Sequence, residues 1–216
     1  MRTSKKITGG IYLVIDPSIK KQTLLKKVKA ALEGGTGILQ IWNHWPDSIN
    51  LSEKLDIIDS VMLLAEEFDV PVIINEEWRL LKNISLHGVH FDSIPDNYTQ
   101  LKSEVNREFI AGITCGNDIN ILHWAEKNHL DYISFCSMFP SRSAGNCEIV
   151  RPETVRKAKK ITQIPIFLSG GITVGNMESL NGLDFDGIAV ISGILNAESP
   201  EKSTSGYIQE LKKVAR

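Results

Sequence analysis

The chain has 216 residues, enough for one substantial hydrophobic core. Its hydrophobic and charged fractions, 42% and 23%, are ordinary, and its formal net charge of −2 gives no reason to expect nucleic acid or an anionic membrane as a partner. No apolar run approaches the roughly 20 residues of a membrane helix, and the first residues lack the apolar stretch of a secretion signal. Three cysteines without metal-type spacing indicate reduced thiols. We therefore expect one domain, residues 1–216, in the cytoplasm.

Eight short segments along the chain have the composition of buried strands. They are rich in Val, Ile, Leu and Phe and mostly apolar on both sides, which is typical of strands covered on both faces in a parallel sheet. The predicted strands are Ile11–Ile15, Gly37–Ile41, Pro71–Asn75, Gly88–Phe91, Phe109–Thr114, Tyr132–Met138, Ile166–Ser169 and Gly187–Ile191.

Longer amphipathic segments separate these strands. The first places Leu24, Val28 and Leu32 on one stripe and ends at a pair of glycines. The predicted helices are Lys20–Glu33, Leu51–Phe68, Asp118–Asn128, Pro152–Lys160, Gly175–Leu180 and Pro200–Val214. Between residues 78 and 105 the helical pattern is short and weak. Eight strands with intervening helices predict an α/β fold, a single (β/α)₈ TIM barrel, rather than an open sheet of five or six strands.

The last two predicted strands end in glycines and hydroxyl residues. Ser169 is followed by Gly170 and Gly171, and the final strand runs into Ile191 and Ser192. Glycines let the backbone approach a ligand closely, and free N–H groups bind anions. In a (β/α)₈ barrel, phosphate commonly binds after strands seven and eight. We call Gly170, Gly171, Ile191 and Ser192 the phosphate cup.

The other strands also end in polar side chains. Because barrel active sites lie at the carboxyl ends of the strands, we expect these side chains to meet at one mouth and to suit a polar, phosphorylated ligand. The candidates are Gln40 and His44 after strand two, Asn75 and Glu76 after strand three, His90 and Asp92 on strand four, Thr114 on strand five, and Ser141 and Ser143 after strand six.

Along nearly its whole length the chain resembles the superfamily of thiamine phosphate synthase and thiazole tautomerase. The order and spacing of the matching motifs make the resemblance fairly specific. The motifs are Tyr12-Leu13-Val14-Ile15-Asp16, Gly34–Gln40, Pro71–Glu76, Gly88-Val89-His90, Asp131-Tyr132-Ile133, Phe139-Pro140-Ser141, Ser169–Ile172 and Ala189–Ser192.

This resemblance implies an enzyme that joins hydroxymethylpyrimidine diphosphate to thiazole phosphate and releases diphosphate. Ionisation of the pyrimidine substrate would give a cation that the thiazole nitrogen captures, with Mg²⁺ holding the leaving group. The implied site residues are Gln40 and Asn75 for the pyrimidine diphosphate, Glu76 for the metal, Thr114 at the strand-five serine position, Ser141 and Ser143 for the thiazole partner, and the phosphate cup for its phosphate. His44 would partly substitute for the missing cations, and Asp92 or Asp96 would help Glu76 hold the metal.

The chain also departs from the family pattern. Trp42 and His44 stand at the two basic positions after strand two, and Ala144 replaces a lysine after strand six. Glu76 is one methylene longer than the aspartate expected at the metal, and Asp92 is out of register with the second acidic position. Fewer cations would therefore face the diphosphate.

Three functions stay open at the level of sequence. The first is the synthase, with small phosphorylated pyrimidine and thiazole substrates. The second is an isomerase or tautomerase acting on thiazole phosphate, with His90 or Glu76 as the base. The third is a non-catalytic regulatory protein that kept the phosphate cup. A phosphosugar isomerase or epimerase would share the cup by fold. The sequence leaves a homo-oligomer open and gives His90 a second interpretation, a structural hydrogen bond inside the barrel.

Overall fold

The computed structural model describes residues 5–141 and 148–215, over which eight parallel strands form a closed barrel. Each strand pairs with the next, and β1 pairs with β8. The strands are Gly10–Ile15 (β1), Ile38–Ile41 (β2), Val72–Asn75 (β3), Gly88–Phe91 (β4), Ile110–Cys115 (β5), Tyr132–Cys136 (β6), Ile166–Ser169 (β7) and Gly187–Val190 (β8). The predicted (β/α)₈ barrel is confirmed.

Helices pack around the outside of this barrel. They are Lys21–Glu33 (α1), Leu51–Glu66 (α2), Tyr98–Val105 (α3), Ile119–Lys127 (α4), Pro152–Ile161 (α5), Ser192–Leu195 (α6) and Pro200–Val214 (α7). Two 3-10 segments, Trp78–Lys82 and Val174–Leu180, follow β3 and β7. The first lies in the region of weak helical pattern, and the second replaces a predicted α-helix. Among the helices of the described residues, none is long and apolar enough to cross a lipid bilayer.

Local sequence sets where the helices begin and end. At the start of α2 the Asn50 side chain accepts from the Glu53 N–H at 3.0 Å, and the Glu53 carboxylate accepts from the Asn50 N–H at 3.0 Å. Pro152 and Pro200 occupy the first turns of α5 and α7, where a missing N–H costs nothing. Gly35, with φ of +100°, ends the turn after α1.

Large side chains fill the interior of the barrel, and two glycines make room for them. A Cβ at Gly112 would lie 2.0 Å from Cζ of Tyr132, and one at Gly187 would lie 2.4 Å from Cε1 of Phe167. Interior packing is close, so these strand positions admit glycine alone. The Tyr132 ring therefore lies across β5. The interior cluster comprises Ile7, Tyr12, Val14, Ile38, Ile73, Ile110, Tyr132 and Phe167.

Candidate active site

The carboxyl ends of β2 to β5 bring four of the predicted site residues to one mouth of the barrel. Gln40, Asn75 and His90 are buried, with exposed fractions of 6%, 1% and 5%. Strand pairing sets Asn75 beside His90, and it sets Thr114 beside Ser134 of β6. Buried polar groups need hydrogen-bond partners, so the partners of these side chains define the site.

A continuous row of hydrogen bonds joins β2 to β5 through the barrel. The Tyr12 hydroxyl donates to Oε1 of Gln40 at 2.5 Å and lies 2.8 Å from the Tyr132 hydroxyl. The Tyr132 hydroxyl is 2.8 Å from Nδ1 of His90, whose Nε2 is 2.8 Å from Oγ1 of Thr114. We call these five side chains the interior row. Sequence reasoning missed both tyrosines as site residues.

His90 has the surroundings of a neutral, hydrogen-bonded imidazole. Its ring stacks on that of Tyr132 with centroids 5.6 Å apart, and both nitrogens have partners. Burial lowers the pKa of His90 to about 3, because a charged ring would lose its hydration there. The His90 ring is therefore placed as a buried hydrogen-bonding group and not as an exposed base.

Two carboxylates lie at the mouth beside Asn75. The Asn75 amide donates to Oδ1 of Asp92 at 3.0 Å, and the backbone N–H of Asp92 donates to Oε1 of Glu76 at 2.5 Å. Burial raises the pKa of both carboxyl groups, and the charge of Asp92 raises that of Glu76 further. We call Glu76 and Asp92 the carboxylate pair.

The carboxylate pair has the donor chemistry of a magnesium site that a ligand completes. Mg²⁺ prefers oxygen ligands and is commonly held by one or two carboxylates together with substrate phosphates and waters. Within residues 5–141 and 148–215, no group of three or more His, Cys, Asp or Glu side chains is arranged to hold a metal ion. The residues present therefore fit Mg²⁺ when a phosphate supplies further oxygens.

The loop after β2 carries an aromatic pair at the positions where the resemblance implies cations. The Trp42 ring stacks on the His44 ring with centroids 4.5 Å apart, and Nδ1 of His44 is 3.1 Å from Oδ1 of Asp16. Nε1 of Trp45 donates to the Glu77 carboxylate at 2.8 Å. Contacts to neighbouring loops thus anchor this rim, and His44 itself is largely exposed.

Two glycines of the phosphate cup have positive φ angles, which residues with a side chain rarely adopt. Gly170 and Gly171 have φ of +84° and +65°. A Cβ at Gly170 would lie 2.0 Å from Oγ of Ser137, and one at Gly171 would lie 2.6 Å from the Pro140 carbonyl oxygen. The turn after β7 therefore packs tightly against the loop after β6. Asn176 holds it from the other side, because its amide donates to the Gly171 carbonyl at 2.9 Å.

Helix α7 supports both turns of the phosphate cup from below. The buried Tyr207 hydroxyl donates to the Ile172 carbonyl at 3.0 Å, and a Cβ at Gly193 would lie 2.1 Å from the same hydroxyl. The Ser203 hydroxyl donates to the Gly193 carbonyl at 2.7 Å. One tyrosine thus contacts the turn after β7 and the start of α6, which begins at Ser192. The first N–H groups of any helix have no partner within it.

The segment after β6 is described only in part. Ser141 lies half-buried at its start. The predicted site residue Ser143 lies outside the described residues, as do Arg142 and Ala144.

The phosphate cup on β7 and β8 and the carboxylate pair on the opposite side of the same mouth are features typical of barrels that bind phosphorylated small molecules. A family model described as thiamine monophosphate synthase matches residues 11–194. The chain belongs to this family.

Individual relatives agree with that assignment. The chain is 29% identical over 213 residues to a thiamine-phosphate synthase of Clostridium tetani, covering 96% of this chain and 99% of that protein. It is 30% identical over 201 residues to a thiamine-phosphate synthase of Nitrosomonas eutropha, covering 92% of each. The solved thiamine phosphate pyrophosphorylase of Pyrococcus furiosus superposes with a TM-score of 0.80 over 95% of this chain and 96% of that one, at 24% identity. This last likeness supports the fold alone.

Proposed function

We propose that this protein is a thiamine-phosphate synthase, which joins hydroxymethylpyrimidine diphosphate to thiazole phosphate and releases diphosphate. Its family and the names of its relatives support that reaction. The observation that carries the proposal is the pairing, in one mouth, of the phosphate cup with a carboxylate pair on the opposite side. Such a mouth suits two phosphorylated substrates, one of them bound with a metal.

Each predicted site residue takes one role in this proposal. The phosphate cup, formed by Gly170, Gly171, Ile191 and Ser192, would bind the thiazole phosphate. Thr114, Ser141 and Ser143 would line the thiazole side, while Gln40, His44 and Asn75 would contact the pyrimidine diphosphate. Glu76 and Asp92 would hold Mg²⁺.

The chemistry needs the leaving diphosphate to be stabilised more than it needs a proton to be moved. When bound, Mg²⁺ would neutralise negative charge on the leaving diphosphate. Asn75 would orient Asp92 through the 3.0 Å hydrogen bond, and the Asp92 N–H would orient Glu76. His90 would act as a hydrogen-bonding residue, because both its nitrogens have partners and its low pKa keeps the ring neutral. Glu76 is then the catalytic residue that would act through the metal.

One observation favours a second function, the non-catalytic binding of thiazole or thiamine phosphate. Trp42 and His44 occupy positions that are basic in the family pattern, and His44 faces Asp16. A lost transition-state contact can cost roughly 3 kcal/mol, about a hundredfold in rate. A protein with too few cations would keep the phosphate cup and lose turnover.

A coupled assay with both substrates, with and without Mg²⁺, tests the proposed function. We expect release of diphosphate that requires both substrates and Mg²⁺ and that Glu76→Gln reduces at least tenfold. Glu67→Gln is the matched control, because Glu67 is exposed at the far end of α2. Conversion of thiazole phosphate without the pyrimidine substrate would instead support the isomerase. Binding of thiazole phosphate without turnover would support the non-catalytic function.

We also propose that the chain acts as one domain, residues 1–216, in the cytoplasm. The thiol of Cys115 supports a reducing compartment, because it is buried and not joined in a disulfide. Burial raises the pKa of that thiol to about 12, so it is an unreactive core group despite its place near the mouth.

A further inference from the structure

The hydrogen bonds of the interior row have a common direction of proton donation, which no single member of the row determines. Its four hydrogen bonds link Gln40, Tyr12, Tyr132, His90 and Thr114 in sequence. Each hydroxyl carries one proton, and a neutral imidazole donates from one nitrogen and accepts at the other. Each inner member of the row can therefore donate only to one side.

Two arrangements place one proton in each of the four hydrogen bonds and use the protons of both tyrosines. In the first, protons point toward β2: Thr114 donates to His90, His90 to Tyr132, Tyr132 to Tyr12, and Tyr12 to Gln40. In the second, all four bonds are reversed, and the Gln40 amide donates to Tyr12. A mixed arrangement would leave either a buried tyrosine proton without an acceptor or two tyrosine oxygens 2.8 Å apart with no proton between them, and both are costly.

The orientation of the Gln40 amide selects between the two arrangements, because its Oε1 and not its NH₂ group faces the Tyr12 hydroxyl. Tyr12 donates to Oε1 of Gln40, so the protons point toward β2. The amide NH₂ is then the group that Gln40 offers to a ligand. In this arrangement Thr114 donates its proton to Nε2 of His90, 2.8 Å away, and offers only lone pairs to a ligand.

We propose that Tyr12, Tyr132 and His90 are positioning residues that fix the orientation of the Gln40 amide and couple it to the Thr114 hydroxyl. Gln40 then presents a donor, which suits the diphosphate oxygens or an acceptor nitrogen of the pyrimidine. A ligand that demanded a donor from Thr114 would reverse the row and turn Gln40 into an acceptor. The hydrogen-bonding role that Gln40 offers to one ligand is therefore coupled to the role that Thr114 offers to the other.

The position of the proton on the His90 ring reports the direction of the row. Protons that point toward β2 require the Nδ1–H tautomer, and the reverse arrangement requires the Nε2–H tautomer. Long-range ¹H–¹⁵N spectra of histidine-labelled protein distinguish the two, and His90→Asn assigns the signal among the five histidines. We expect Nδ1–H in the wild type. This measurement needs no substrate and stands apart from the proposed function.

Tyr12→Phe is the decisive variant. Without the Tyr12 oxygen, Tyr132 has no acceptor on that side and donates to His90, which then donates to Thr114 at the mouth. We expect the tautomer to change to Nε2–H. Gln40→Leu is a second variant with the same expected change, should Tyr12→Phe fail to fold. Tyr98→Phe removes the hydroxyl of another buried tyrosine, on α3, and is expected to keep Nδ1–H.

A kinetic measurement adds a test that rests on the proposed function. If the row acts as a unit, Tyr12→Phe and Tyr132→Phe should each raise KM for the pyrimidine diphosphate about fivefold, the effect of one hydrogen bond. The double variant should lose no more than either single variant. An Nε2–H tautomer in the wild type, or an unchanged tautomer in a folded Tyr12→Phe or Gln40→Leu variant, would overturn the proposal even if the enzyme turns over. Additive KM effects would overturn the coupling.

Discussion

Replacing Gly170 by alanine tests how tightly the phosphate cup is built. The new Cβ would lie 2.0 Å from Oγ of Ser137, on a backbone whose φ is +84°. Two costs arise: about 1–2 kcal/mol for an alanine in the left-handed region, and about 1–3 kcal/mol for overpacking. We expect Gly170→Ala to lower the free energy of unfolding by about 2–5 kcal/mol in total.

Gly182 provides a matched control, because its φ is +78° and nothing lies within 4 Å of its Cβ position. Gly182→Ala should therefore show only the backbone cost, about 1–2 kcal/mol. Urea unfolding measures both values. Calorimetric titration with thiazole phosphate should show about tenfold weaker binding to Gly170→Ala, equivalent to about 1.4 kcal/mol, and unchanged binding to Gly182→Ala. Equal results for the two variants, in stability and in binding, would refute the close packing described for the cup.

Three further predictions concern other parts of the site. Because the pKa of His90 falls from its usual 6.5 to about 3 on folding, its contribution to stability is present above pH 6.5 and declines below it. The free energy of unfolding should drop by about 2 kcal/mol between pH 6.5 and 5 in the wild type but not in His90→Asn, as urea titrations at both pH values would show. Tyr207→Phe removes the hydroxyl that donates to the Ile172 carbonyl. Calorimetry should therefore show about fivefold weaker binding of thiazole phosphate. An unchanged affinity would show that this hydrogen bond does not support the phosphate cup. In Asp92→Asn, diphosphate release should need more Mg²⁺ for half-maximal rate, and an unchanged requirement would place the metal elsewhere.

The barrel follows from the sequence because strand composition and helix periodicity are local properties. Short apolar segments with helical stripes between them have few arrangements that bury both faces of every strand. The ends of helices were also readable where caps are local, as at Pro152 and Pro200. The segment after β7 formed 3-10 turns instead of the predicted α-helix. There Asn176 caps the turn and bonds the Gly171 carbonyl, a contact that helical spacing does not reveal.

The sequence indicates which residues lie at the mouth, but it does not reveal the hydrogen bonds that join them. Gln40, Asn75 and His90 could be located at strand ends because barrel sites lie there. The row that links Gln40 and His90 to Tyr12 and Tyr132 depends on contacts across the barrel between residues 28 to 120 positions apart. A cue existed nonetheless, since a glycine inside a strand often marks close approach, and Gly112 makes room for the Tyr132 ring.

In the loop after β2, a family pattern alone does not determine the contacts that the side chains make. The resemblance implies basic residues where this sequence has Trp42 and His44, but it does not reveal that their rings stack on each other or that His44 reaches Asp16. These contacts are long-range and depend on how the loops after β1 and β2 meet. Substitutions at this rim that restore cations, such as Trp42→Arg with His44→Lys, would show whether charge limits the rate.

The most direct test of the proposed function is the release of diphosphate by the wild-type protein given hydroxymethylpyrimidine diphosphate, thiazole phosphate and Mg²⁺. We expect thiamine phosphate and diphosphate in equal amounts, with no release when either substrate or the metal is left out. Tight binding of thiazole phosphate with no diphosphate released under any of these conditions would contradict the synthase.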